Sequence, residues 1–327
     1  MRETLITRIG SAPFVRESPV TFRPDAEKSI KGILSSSDIR VSVELCPNRQ
    51  LDKELLLQIP CRFCAITWFS PSADQLERVD KIPAIVLARE LKHFGLPVLL
   101  HLAGRNLRKF EVLKILGTLK KYGIRNIFAL QGDASQVREK DDSKCDFPYA
   151  ADLVDFIRSC YGNFFTIGVA GYPDGHPNSF SRESEMEFLK AKVSRGADFI
   201  LTQGSYSLAA FTNFIERCRS AGIRVPVVPG LFIISSYGTL AAVSKFCGVP
   251  VPKTLLETVK RLKENDPAAR EFGITEAGEM VKRILANGNS FGGVHVFSLN
   301  NLELVREVLG RVGFYPVIER PLKLRCD

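Results

Sequence analysis

Five polar side chains capable of chemistry each sit near the end of an apolar run. Glu44 lies in Arg40-Val-Ser-Val-Glu-Leu-Cys-Pro47, Thr67 in Phe63 to Ser70, and His101 in Pro97-Val-Leu-Leu-His-Leu-Ala-Gly104. Asp133 closes Asn126-Ile-Phe-Ala-Leu-Gln-Gly-Asp133, and Gln203 stands in Asp198 to Gly204. Two carboxyl groups in unlike surroundings can supply an acid and a fixed negative charge to one site. Glu44 is flanked by apolar residues. Desolvation there raises a carboxyl pKa and keeps the proton on, as a general acid requires. Asp133 follows Gly132 at the start of a polar loop and is expected to stay ionised. Each residue also has a plainer reading as a strand terminator or a satisfied core group, and Glu44 as half of an ion pair.

These runs need a frame that brings their ends together. Strand-like segments alternate with helical ones along the chain, and the loop Ala134 to Asp146 separates the fourth strand from a helix near Tyr149 to Cys160. Further strands are expected at Phe165 to Pro173, Asp198 to Gly204, Pro226 to Ile233 and Gly292 to Leu299, each followed by helical periodicity. Eight uninterrupted βα units predict an α/β fold, a single (β/α)8 TIM-type barrel with an N-terminal extension. The expected division is an arm over 1–39, a barrel over 40–314 and an extended tail over 315–327. Side chains alternate along a strand. The same parity joins Ser42 to Glu44, Ala65 to Thr67, Leu99 to His101, Ala129 and Gln131 to Asp133, and Leu201 to Gln203. If that parity faces inward, all five polar residues converge at one mouth of the barrel.

The 327 residues suffice for a large core, and 45% apolar with 25% charged content describes a water-soluble chain. No apolar run is long enough to span a bilayer. The excess of 45 basic over 36 acidic residues, net +9, is spread along the sequence. It suits anionic small molecules better than nucleic acid. Cys61 and Cys64 form a lone C-x-x-C without a second ligand pair, so reduced thiols are expected and a zinc site is not. The first forty residues lack a hydrophobic signal core. The expected location is cytoplasmic, with a mitochondrial presequence as the alternative.

The motifs together resemble the catalytic domain of the methylenetetrahydrofolate reductase family, in its eukaryotic-like form. The resemblance runs over about residues 40 to 312, through Val41-Ser-Val-Glu44 with Pro47 and Arg49, Ile66-Thr-Trp68, Leu100-His101, and Ala129-Leu-Gln-Gly-Asp133. It continues through Tyr149-Ala-Ala-Asp152, Val169-Ala-Gly-Tyr-Pro173, Gly175-His-Pro177, Gly196-Ala-Asp-Phe199, Thr202-Gln203, Pro229-Gly230, Val294-His295 and Ser298-Leu-Asn300. It implies non-covalent FAD reduced by NADPH or NADH, and reduction of 5,10-methylenetetrahydrofolate to 5-methyltetrahydrofolate in one-carbon and methionine metabolism. By motif, Glu44 becomes the acid that opens the folate's five-membered ring, and Asp133 the charge beside flavin and pterin. Thr67, Trp68, His101, Gln131, Gly132, Asp133, Tyr149, Ala150, Ala170, Tyr172, His176, Glu185 and Lys192 map to cofactor-binding positions. Glu44, Asp133, Gln203, Thr239, Phe297 and Asn301 map to the folate side. No metal is implied, and a homo-oligomer is compatible with the resemblance.

Several positions depart from the family pattern. Gln131 stands for the arginine of an Arg-Gly-Asp, Gly204 and Ser205 for aromatics, Ile233 for a proline, Phe297 for a tyrosine and Asn301 for an arginine. The sequence ends soon after the eighth unit, so a C-terminal regulatory domain and inhibition by S-adenosylmethionine are not expected. Two readings with flavin follow: a reductase, or a flavin-binding pseudoenzyme with a binding or scaffold role. A flavin-free barrel lyase using Glu44 and His101 is the third.

Overall fold

Each of the eight apolar runs becomes one strand of a closed parallel barrel in strict chain order. The computed structural model describes residues 29–34, 41–132, 146–177, 179–287 and 291–314. The strands are β1 (Val41–Leu45), β2 (Cys64–Ile66), β3 (Val98–Ala103), β4 (Asn126–Leu130), β5 (Thr166–Gly171), β6 (Phe199–Gly204), β7 (Val227–Phe232) and β8 (Val294–Phe297). β8 returns to pair with β1, Val41 opposite Val294 and Glu44 opposite Phe297, which removes both sheet edges.

The helices are α1 (Ile30–Leu34), α2 (Lys53–Gln58), α3 (Ala73–Glu77), α4 (Pro83–His93), α5 (Lys109–Lys121) and α6 (Ala150–Tyr161). They continue with α7 (Arg182–Ser194), α8 (Leu208–Ser220), α9 (Tyr237–Cys247), α10 (Lys253–Arg261), α11 (Asp266–Ala286) and α12 (Leu302–Val312). Their starts are written in the sequence. Asp52, Ser181, Ser207, Ser236, Asn265 and Asn301 each accept a first-turn backbone N–H of the helix that follows. Among the described residues, no helix is long and apolar enough to cross a membrane.

Strand side chains sort into two apolar layers. Val43, Ile66, Leu100, Ile127, Ala129, Ile167 and Val296 pack outward with helix residues such as Leu91, Leu116 and Val305. Phe63, Ala65, Leu99, Phe128, Phe199, Leu201 and Val228 fill the interior. Gly168 makes room for one of them, since a Cβ there would stand 2.4 Å from the Phe199 ring. Cys61 and Cys64 are both buried in the outer layer, their sulfurs 3.8 Å apart.

The floor of the barrel is made by a piece of the expected arm. In α1, Ile30 and Ile33 join the interior layer. The Ile30 N–H donates to Asn126 Oδ1 at 2.9 Å, while Asn126 Nδ2 donates to the Val98 carbonyl at 3.0 Å. Lys31 Nζ lies 3.0 Å from Asp198, which also pairs with Arg158 at 2.6 Å. The remainder of 1–39, most of the loop from 134, and the tail 315–327 lie outside the described residues.

One alternation is corrected. On β4 the inward positions are Asn126, Phe128 and Leu130, and Ala129 packs in the outer layer. The parity through Ala129 and Gln131 therefore does not carry Asp133 inward. The strand ends at Leu130, and Gly132 at φ +97° breaks the alternation before residue 133. Asp133 itself lies outside the described residues. On β1, β2, β3 and β6 the expected parity is the inward one: Ser42 bonds His295 across the seam, and Ala65, Leu99 and Leu201 belong to the interior layer.

Candidate active site

In parallel barrels the carboxyl ends of the strands form the working face. Glu44 stands there, half-buried, beside Ala65 of β2 and Phe297 of β8 in the register. Burial pushes its carboxyl up to about 8, so at neutral pH the group carries a proton it can give away. Its backbone is held from the end of β8. Ser298 Oγ donates to the Glu44 carbonyl, and Asn300 brackets Cys46, accepting its N–H at 2.8 Å and donating to its carbonyl at 2.9 Å. Leu299 and Asn300 take φ of 49° and 67° to make this clamp.

Below Glu44 lies a buried polar layer. Ser42 Oγ and His295 Nδ1 are 2.9 Å apart, and His295 sits between the rings of Phe63 and Phe297, with centroids at 6.1 and 5.1 Å. His101 of β3 leans on Phe128 at 4.8 Å. Burial lowers both imidazoles to about 3, so both are neutral at physiological pH. The Nε2 atoms of His101 and His295 are buried without a hydrogen-bond partner among the described residues. Such a group is costly unless a ligand or water completes it.

A second cluster surrounds the end of β5. Lys192, half-buried near the end of α7, donates to the Ala170 carbonyl at 2.5 Å, and burial of its ammonium brings it down to about 8. Glu185 accepts the His176 N–H and lies 3.5 Å from Arg182. The Tyr172 and His176 rings meet edge-on at 4.6 Å, in a loop turned by Gly175 at φ +97°. Ala170, Tyr172, His176, Glu185 and Lys192, separated in sequence, thus share one corner.

The other expected positions have these surroundings. Thr67 Oγ1 reaches the Leu45 carbonyl at 3.4 Å, and Trp68 packs against the outer layer. Gln131 Nε2 donates to the Pro148 carbonyl at 2.7 Å, and Gly132 opens the β4 loop. Tyr149, exposed, precedes Ala150 at the start of α6 and stacks on Phe188 at 5.8 Å. The Gln203 carboxamide folds back onto the Gly204 N–H at 3.0 Å, where β6 shifts register. Thr239 bonds Ser235 and Ser236 in the first turn of α9. Asn301 accepts the Leu304 N–H as the cap of α12. Phe297 stacks on Phe232 at 4.6 Å, and the Phe232 ring covers Gly204, where a Cβ would lie 2.4 Å from it.

Three features of the site carry little local signal in the sequence. The Ser42–His295 pair was visible only as a motif, and the Asn300 clamp only as a match. Arg105, whose N–H donates to the Gln131 carbonyl at 2.8 Å, gave no signal at all.

The family model described as methylenetetrahydrofolate reductase matches residues 39–313. The chain belongs to this family. It is 33% identical over 255 residues to a probable methylenetetrahydrofolate reductase (NADPH) of Caenorhabditis elegans, covering 77% of this chain and 38% of the relative. It is 38% identical over 258 residues to methylenetetrahydrofolate reductase 2 of Schizosaccharomyces pombe, covering 75% and 39%. The chain therefore spans about two fifths of the length of these methylenetetrahydrofolate reductases. A 5,10-methylenetetrahydrofolate reductase of Pectobacterium carotovorum is 30% identical over 291 residues, covering 86% of this chain and 93% of that one. Among solved structures, a Clostridium thermocellum protein described as binding two copies of 5-methyl-5,6,7,8-tetrahydrofolic acid shares the fold at TM-score 0.55 and 16% identity, covering 87% and 98%.

Proposed function

We propose that this chain reduces 5,10-methylenetetrahydrofolate to 5-methyltetrahydrofolate with FAD and NADPH or NADH. The observation that carries the reading is Glu44, a carboxyl at the barrel mouth kept protonated up to about 8. The donor set fits a flavin dinucleotide. His101 offers a buried nitrogen with no partner among the described residues, Gly132 and Gly175 turn the loops after β4 and β5 at positive φ, and Lys192 offers a cation. FAD, when bound, supplies hydride transfer between the nicotinamide and the folate. The residues proposed to hold it are Thr67, Trp68, His101, Gln131, Gly132, Tyr149, Ala150, Ala170, Tyr172, His176, Glu185 and Lys192.

The chain's own contribution to the chemistry is proton placement and orientation. Glu44 donates its proton to a nitrogen of the folate's five-membered ring, so that the C–N bond can open. The neutral His101 and His295 do not compete for that proton. Asp133 follows Gly132 and is proposed as the fixed negative charge that favours the cationic opened ring. Gln203, Thr239 and Phe297 line the folate side.

A flavin-binding protein without folate turnover is the second reading. It is favoured by Asn301, whose side chain caps α12, and by the Phe232 ring over Gly204. Spectroscopy on the purified protein separates the two. The reductase gives a bound-flavin spectrum that bleaches with NADPH or NADH and recovers on adding methylenetetrahydrofolate. Bleaching without recovery supports the second reading, and no flavin spectrum after incubation with FAD sinks both.

A further inference from the structure

Arg105 stands where β3 turns toward α5, and two consecutive backbone groups fasten that turn to the end of β4. Gly104 donates to the Leu130 carbonyl at 3.0 Å and Arg105 to that of Gln131 at 2.8 Å. The Arg105 Cβ lies 3.2 Å from the place a Cβ on Gly132 would occupy, so the two residues sit side by side. The cations around the end of β5 already reach protein oxygens. Lys192 donates to the Ala170 carbonyl at 2.5 Å, Arg217 to that of Pro173 at 3.2 Å, and Arg182 to that of Asp174. Gln131 is neutral, and its amide is held by Pro148. The Arg105 guanidinium, half-buried, pairs with no carboxylate or carbonyl among the described residues.

A half-buried guanidinium with no acceptor among the described residues, at the carboxyl ends of the strands beside Gly132, is suited to an incoming oxyanion. Its planar fork of donors matches phosphate two bonds at a time. We propose that Arg105 is a phosphate-binding residue of the dinucleotide site, taking a diphosphate oxygen of FAD beside Gly132. This rests on the flavin reading above and assigns the positive charge at the β4 end to the adjacent turn, where position 131 carries none.

The test is equilibrium dialysis of the purified chain and of Arg105→Gln and Arg105→Lys variants, against FAD and, separately, against riboflavin, which has no phosphate. Arg105→Gln should weaken FAD about tenfold to a hundredfold, the scale of a charge-assisted bond, and change riboflavin less than about twofold. Arg105→Lys keeps the charge but not the fork and should fall between. Adding Gln131→Arg to Arg105→Gln should restore part of the FAD affinity. Unchanged FAD affinity in Arg105→Gln overturns the proposal, and so does a parallel loss of riboflavin, which marks a structural role. If Arg105→Gln does not fold, the lysine variant decides: FAD binding equal to the parent overturns the assignment. A parent chain that takes up no FAD overturns the flavin reading and this one together, whereas tight parent binding with an indifferent Arg105 overturns this one alone.

Discussion

Glu44 is the residue on which the proposed chemistry turns, and its sign can be worked out. A carboxyl whose folded pKa is raised from 4.5 to about 8 contributes stability fully below its ordinary value and loses it as pH rises through about 8. The same ionisation removes the proton the reaction needs. Reoxidation of the flavin by methylenetetrahydrofolate should therefore fall as pH rises past about 8, while reduction by the nicotinamide should show no limb from this group. Glu44→Gln should leave nicotinamide-driven bleaching intact and lower folate turnover by about a hundredfold to ten-thousandfold, the usual reach of a positioned acid. Stopped-flow of the two half-reactions measures both. Folate turnover near the parent rate in the glutamine variant would remove Glu44 from the acid role.

Much of this residue's setting was legible. Val-Ser-Val-Glu in an apolar run told that the carboxyl would be desolvated, and alternation put Ser42 and Glu44 on one face. Asp133 shows the limit of the same reasoning. Alternation holds only while the backbone is extended, and β4 stops at Leu130, before Gly132. A polar residue three positions past a strand end cannot be assigned a face by counting. Arg105 was illegible for a related reason: the role proposed for it follows from contact with a turn 26 residues away in sequence, and no local pattern encodes that.

At the scale of elements, α1 is the surprise. Five residues carry too little periodicity to be read as a helix with a role. Yet Ile30 is fully buried in the barrel floor and its N–H is taken by Asn126. Ile30→Ala should cost about 2–5 kcal/mol, the range for truncating a buried aliphatic, measured by denaturant unfolding. A loss below about 0.5 kcal/mol would mean that α1 is only loosely seated. The eight strands, by contrast, were legible because each is a short apolar run followed by helical periodicity, and local signals of that kind survive without knowledge of partners. The layer inside the barrel was legible in part: alternation marked Ala65, Leu99 and Leu201 as one face, but Gly168 and Phe199 are complementary only once β5 and β6 lie side by side.

For the whole molecule, the buried imidazoles set an acid limit. His101 and His295 are lowered from 6.5 to about 3 by burial, and charge on His101 further disfavours charge on His295. A base with a depressed pKa contributes stability fully above its ordinary value and loses it as pH falls toward about 3. Unfolding midpoints should drop progressively from pH 6.5 downward. His295→Gln, which cannot take up that proton, should show a shallower drop relative to its own value at pH 7. An identical slope in the variant would mean that acid sensitivity comes from surface carboxylates instead.

The Asn300 bracket on Cys46 joins residues 254 positions apart, across the seam where the last strand meets the first. During synthesis at about 5–20 residues per second, β1 emerges and then waits on the order of ten to fifty seconds for β8. Throughout that interval one flank of the strand bearing Glu44 is an open edge, available to any other extended chain. The residue proposed for the chemistry thus sits on the strand whose second neighbour is the last of the eight to be made.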